Sequence, residues 1–192
     1  MFNTNKFIKA VALSTLSATF ILGASQSWAA GAHGGGHGSE SSIGNPEKAA
    51  AATRTIKINM LDNYYEPKEF TVKEGETIRF IVKNAGELVH EFNIGTAVMH
   101  SAHQKEMEMM VDHGALEADK INPKKMKMDM GSGKVMKHSD PNSVLLEPGK
   151  AGEVIWKFSK ASKLEFACNV PGHYEAGMMG PIRFVTKQDS SS

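Results

Sequence analysis

The sequence predicts an all-β domain, a sandwich or a barrel, carrying appendages of a different chemistry. Three observations support this: short stretches in which apolar and polar residues alternate, turn signals between those stretches, and 41% hydrophobic residues, enough for one core but lean for 192 residues. At roughly 100–200 residues per domain, the length fits one such domain plus extensions.

The first strand begins near Thr55, where Ile56 and Ile58 alternate with polar neighbours. Phe70 and Val72 repeat the pattern, and Ile78, Phe80 and Val82 alternate with Arg79 and Lys83. Glu66-Pro67 and Glu74-Gly75-Glu76 supply the turns between them. His90, Phe92 and Ile94 then share one strand face. Strand patterning resumes at Ser143–Leu146, turns at Glu147-Pro148-Gly149-Lys150, and returns as Val154, Trp156 and Phe158. Leu164, Phe166 and Cys168 share the next face and Ile182 and Phe184 the last, so Cys168 emerges from the core side of a strand end. Tyr64, Tyr65, Phe80, Phe92, Trp156 and Phe166 are expected in the core.

The remainder is not strand. Lys6 and Lys9 precede an uncharged apolar run from Ala10 to Ala24, followed by Ser27-Trp28-Ala29, so residues 1–29 read as a secretory signal peptide. The run falls short of the ~20 residues that span a bilayer, and the exported chain is expected to be soluble, with no membrane span. Residues 30–53, rich in Gly, Ser and Ala, are expected to form a flexible tail, and 188–192 a flexible end. The domain then occupies 54–187, interrupted by an insertion at 99–138 that holds eight of the twelve Met and four of the eight His. Within it, Glu106–Leu116 could form a short helix.

Charge excludes one class of partner. Lys and Arg total 22 against 21 acidic residues, and loss of Lys6 and Lys9 leaves 20 against 21, so there is no basic excess for nucleic acid.

The chemistry concentrates in Cys168-Asn169-Val170-Pro171-Gly172-His173-Tyr174-Glu175-Ala176-Gly177-Met178, which puts a thiolate, an imidazole and a thioether in one loop. A distant His90 could complete them. Two His, one Cys and a weak axial Met are the ligands of a type 1 copper site: the thiolate bonds strongly, neutral imidazoles suit both oxidation states, and the Met sulfur tunes the potential. Pro171-Gly172 suits a turn that brings His173 back toward Cys168. A lone Cys in an exported chain has no disulfide partner within it and is a buried free thiol, an intermolecular disulfide or a metal ligand; His173 and Met178 beside it favour the ligand.

From about Thr55 to Thr186 the chain resembles the cupredoxins, the plastocyanin and azurin superfamily of blue-copper proteins, through Tyr65-Glu66-Pro67, the Val72–Gly75 turn, His90-Glu91-Phe92 and the Cys168/His173/Met178 loop. The resemblance implies a Greek-key β-sandwich, with His90 on one strand and Cys168, His173 and Met178 in the loop joining the last two strands. The His-rich N-terminus and Met/His-rich insertion look most like the copper-tolerance cupredoxins of the bacterial periplasm. Two positions depart from the pattern. Glu91 stands where some cupredoxins have an Asn that braces the site, and Met179 competes with Met178 for the axial role, which spacing assigns to Met178.

Further soft donors could bind extra copper: His33 and His37 in the tail, and Met99, His100, His103, Met107, Met109, Met110, His113, Met126, Met128, Met130, Met136 and His138 in the insertion. The expectation is therefore a periplasmic type 1 copper protein, cycling between Cu(I) and Cu(II), that contributes to copper tolerance. The alternative is a soluble one-electron carrier between respiratory or photosynthetic partners. A periplasmic redox partner or a copper-export or oxidase protein is the expected protein partner. A stand-alone oxidase or nitrite reductase is not expected, because there is one domain and no His-x-His.

Overall fold

The computed structural model describes residues 43–129, 135–137, 140–159 and 163–185. The strands are β1 (Gly44–Pro46), β2 (Arg54–Leu61), β3 (Tyr64–Glu66), β4 (Phe70–Val72), β5 (Thr77–Asn84) and β6 (His90–Gly95). After helix α1 (Ala97–Asp112) come β7 (Lys127–Asp129), β8 (Val135–Lys137), β9 (Ser143–Leu146), β10 (Ala151–Phe158), β11 (Leu164–Ala167) and β12 (Met179–Phe184). Two five-stranded sheets, β1-β10-β5-β2-β3 and β4-β12-β11-β6-β9, carry the inward-facing apolar positions, while β7 and β8 form a separate hairpin. The β2–β5 and β12–β4 pairs are parallel and the other sheet neighbours antiparallel. This is the expected all-β sandwich.

Alternation explains why these strands form. In β10, Val154, Trp156 and Phe158 are buried while Ala151, Glu153 and Lys157 are exposed. Aromatic rings fill the space between the sheets: Phe70 stacks on Phe166 at 4.9 Å, and Tyr65 meets Phe166 edge-on at 5.0 Å. Tyr64, expected inside, is instead 41% exposed, because successive residues of β3 point to opposite faces and Tyr65 takes the inner one.

The flexible tail expected over 30–53 is corrected at its C-terminal end, because residues 43–53, within the expected tail, are built into the domain. Ile43 is fully buried, its carbonyl accepts the Trp156 indole N–H at 3.3 Å, and β1 pairs with β10. Gly44 permits this docking. Its φ is +139°, and a Cβ there would lie 2.1 Å from the Lys157 carbonyl oxygen. His33 and His37 lie outside the described residues.

The described part of the insertion also holds more regular structure than a loop. The helix expected over Glu106–Leu116 spans Ala97–Asp112, starting where the Thr96 hydroxyl accepts the Met99 N–H at 3.3 Å and ending before Gly114, whose φ is +65°. Its buried residues, His100, His103, Met107 and Met110, recur at helical spacing and pack toward β6 and β11. Met107 and Met110 belong to the main core, together with Ala115 and Leu116 just beyond the helix. Met128 pairs with Met136 across the β7–β8 hairpin, and Met130 and His138 lie outside the described residues. Among the described residues, no helix is long and apolar enough to cross a membrane.

Candidate metal centre

His90 opens β6, Cys168 follows β11, and His173 and Met178 lie in the connection to β12. The connection folds back on itself through its backbone: the His173 N–H donates to the Val170 carbonyl at 3.0 Å, the Met178 N–H to the His173 carbonyl at 2.9 Å, and the Cys168 N–H to the Met178 carbonyl at 3.1 Å. Gly172 and Gly177, at φ +84° and +92°, turn the chain where a side chain would be strained. Gly180 acts through space instead, since a Cβ there would lie 2.3 Å from both the Lys68 carbonyl oxygen and the Phe166 ring.

These turns bring three donor atoms together. His90 Nδ1 and His173 Nδ1 are 3.2 Å apart, and Cys168 Sγ lies 4.0 Å from the first and 3.4 Å from the second. Among the described residues, this is the one group of three or more His, Cys, Asp or Glu side chains whose ligand atoms lie within 4.8 Å of one another. Met178 is fully buried beside them in the chain, whereas Met179 is 39% exposed and pairs with Ala167 in the sheet. The structure thus separates the two methionines that competed in the sequence.

Electrostatics keeps the donors neutral and their lone pairs available. Burial pushes the Cys168 thiol up to about 12, an effect that outweighs the N–H that Glu91 directs at its sulfur from 3.4 Å. Burial lowers both imidazoles below their ordinary 6.5, opposed at His90 by Asp62 and reinforced at His173 by His90. A desolvated thiol between two neutral imidazoles lacks only a cation to compensate a thiolate, so the donor set fits a soft, thiolate-bound metal.

Around these donors is a second layer that sequence reasoning largely missed. His90 Nε2–H donates to Asp62 Oδ1 at 2.8 Å, which leaves the lone pair on Nδ1. Asp62 is itself held by the Glu87 and Leu88 N–H groups, and Gly86 makes room, since a Cβ there would lie 2.3 Å from Asp62 Oδ1 and 2.8 Å from His90 Nε2. Asp62 sits in the turn between β2 and β3, 28 residues from its partner, so no local motif marks it. Glu91 takes up the bracing role in place of Asn: its carboxylate accepts from Asn169 Nδ2 at 2.8 Å and from Ser143 Oγ at 2.6 Å.

Among the described residues, His100, His103 and His113 belong to no group of three or more His, Cys, Asp or Glu side chains with converging ligand atoms. His103 lies between two carboxylates, Nε2 at 3.0 Å from Glu91 and Nδ1 at 3.1 Å from Glu106. His100 is fully buried against the Tyr174 ring, with 6.0 Å between ring centres. Exposed His113 uses Nδ1 on the Met109 carbonyl, at 2.8 Å. Met99, Met109 and Met126 are half-buried and pack against the core.

A sandwich with this donor cluster at the end of β6 and β11 defines a cupredoxin-like domain, and the Cupredoxin-like domain family profile matches residues 28–113. Over 146 residues the chain is 49% identical to a copper-resistant cuproprotein CopI of Pseudomonas aeruginosa, covering 73% of this chain and 81% of that one. It is 38% identical over 154 residues to the CopI of Rubrivivax gelatinosus, covering 80% and 78%. In fold it is similar to auracyanin B, with a TM-score of 0.53 at 15% identity over 75% of this chain and 97% of the other. The chain belongs to the cupredoxin-like family of copper-resistant cuproproteins represented by CopI.

Proposed function

We propose that this chain is an exported, periplasmic type 1 copper protein that holds copper through His90, Cys168, His173 and Met178 and contributes to copper tolerance by binding copper or handling its redox state. The convergence of His90 Nδ1, His173 Nδ1 and Cys168 Sγ supports this reading most strongly. Copper held there would supply a one-electron couple between Cu(I) and Cu(II). The protein contributes the rest. Asp62 fixes the tautomer and orientation of His90, the Glu91 N–H stabilises negative charge on the Cys168 sulfur, and buried Met178 offers a weak thioether donor that water cannot displace. The role proposed is carriage or sequestration of copper rather than oxidase catalysis, since these 192 residues hold no His-x-His from which a second copper centre would be built.

A second reading, the one-electron carrier, gains weight from one observation. Met107 and Met110, which could have served as capture ligands, are used in core packing. The names of the CopI relatives support the tolerance role. A strain lacking this protein separates the two. The tolerance reading expects loss of growth in added copper, restored by the native chain and not by Cys168→Ser, with respiration unchanged. Normal growth in copper with impaired respiration would establish the carrier instead.

A further inference from the structure

Glu91 is an acid whose carboxylate is buried directly beside a candidate ligand. A buried carboxylate persists only where charge and hydrogen bonds compensate it, and here the compensating groups come from separate parts of the fold. The Ser143 hydroxyl donates from β9 at 2.6 Å, Asn169 Nδ2 donates from the residue after Cys168 at 2.8 Å, and His103 Nε2–H donates from α1 at 3.0 Å. The other His103 N–H donates to Glu106 at 3.1 Å, so the imidazole carries both protons and acts as a cation rather than a lone-pair donor. The Glu91 backbone is engaged as well. Its N–H points at Cys168 Sγ from 3.4 Å and its carbonyl accepts the Tyr65 hydroxyl at 2.5 Å. One residue therefore ties the His90 strand, the Cys168 loop and the helix together.

We propose that His103, acting through Glu91, is a positioning residue of the metal centre, so that α1 serves as a splint holding the His90 strand and the Cys168 loop at a fixed separation. The proposal rests on the reading that the His90, Cys168, His173 and Met178 cluster holds copper. It gives the first half of the Met/His-rich segment a role in shaping one site rather than in capturing further metal. The pair has room to move when altered, because a cavity of about 50 Å³ borders Glu91, His103, Met107 and Met126. Loss of the splint should let the Cys168 loop relax while copper stays bound.

The test titrates the full-length mature protein, as native, His103→Gln, Ser143→Ala and His113→Gln, with up to three equivalents of Cu(II). Absorption, electron paramagnetic resonance and copper transfer to a chelator are then followed. His103→Gln should keep a thiolate-to-copper band but shift its energy and the copper hyperfine splitting, with copper affinity about 10- to 100-fold weaker, the usual cost of losing an outer-sphere partner. Ser143→Ala removes one hydrogen bond to the same carboxylate oxygen and should shift the spectra in the same direction by less. That variant decides the matter if His103→Gln does not fold. His113→Gln, on the exposed end of the helix, should match native. Spectra and copper affinity of His103→Gln or Ser143→Ala indistinguishable from native would overturn the proposal. So would loss of a second, colourless copper equivalent with the coloured site unchanged, which would make His103 a ligand. Absence of any thiolate band in the native protein would instead overturn the copper reading beneath it.

Discussion

At the residue scale, the two adjacent methionines show how burial decides between chemically identical candidates. Met178 has no exposed surface and its backbone N–H and C=O hold the ligand loop closed, whereas Met179 is a sheet residue turned partly to water. Met178→Gln should therefore leave copper bound and lower the reduction potential, since an oxygen donor favours Cu(II) over Cu(I). Met179→Gln should leave the potential where it is. Voltammetry of both variants checks this, and a drop confined to Met179→Gln would transfer the axial role. The four candidate ligands were legible because their residue types and loop spacing are themselves chemistry. Asp62 and Asn169 were not, because each acts by a hydrogen bond formed only once distant segments meet: Asp62 with His90, Asn169 with Glu91.

At the element scale, α1 is where the sequence misled. His100, His103, Met107 and Met110 fall on one helical face, but Met and His in an exported chain also read as metal donors, and that chemistry masked the amphipathic pattern. The strands were easier, since Val, Ile and Phe have no competing reading; β1 escaped because a single apolar residue, Ile43, anchors it. The His103 pair makes the helix sensitive to pH. Burial disfavours its charge, but Glu91, then Glu106 and Asp140, outweigh that and hold its pKa far above the ordinary 6.5. Because the folded value is the higher one, its stabilisation is complete below about pH 6.5 and is lost as pH rises toward the folded value. Urea unfolding of the metal-free protein between pH 6.5 and 10 should show stability falling more steeply for native than for His103→Gln. Equal slopes would mean that His103 is not held charged by the fold.

At the scale of the whole molecule, the first half of the insertion, through Leu116, is part of the domain. A surface loop over 99–138 could be removed with little cost, since closure entropy changes slowly with length. The structure puts Met107 and Met110 in the core, worth about 1.5–3 kcal/mol each on burial, and leaves Glu91 without its cationic partner if the helix goes, a further ~3–5 kcal/mol. Against a typical total of about 5–15 kcal/mol, deleting 99–138 should abolish cooperative folding or lower the melting temperature by tens of degrees, and disturb the coloured site. A deletion variant that melts near native and keeps the native spectrum would show the segment to be dispensable.

The central claim is that two sheets and one folded-back loop bring Cys168 between His90 and His173 to hold copper. Its most direct test is a titration of the purified mature chain with Cu(II), followed by visible absorption, in native protein and Cys168→Ser. An intense thiolate-to-copper band that saturates at one equivalent in native and is absent from Cys168→Ser is the expected result. A band that survives in Cys168→Ser, or copper bound by native protein without any such band, would contradict it.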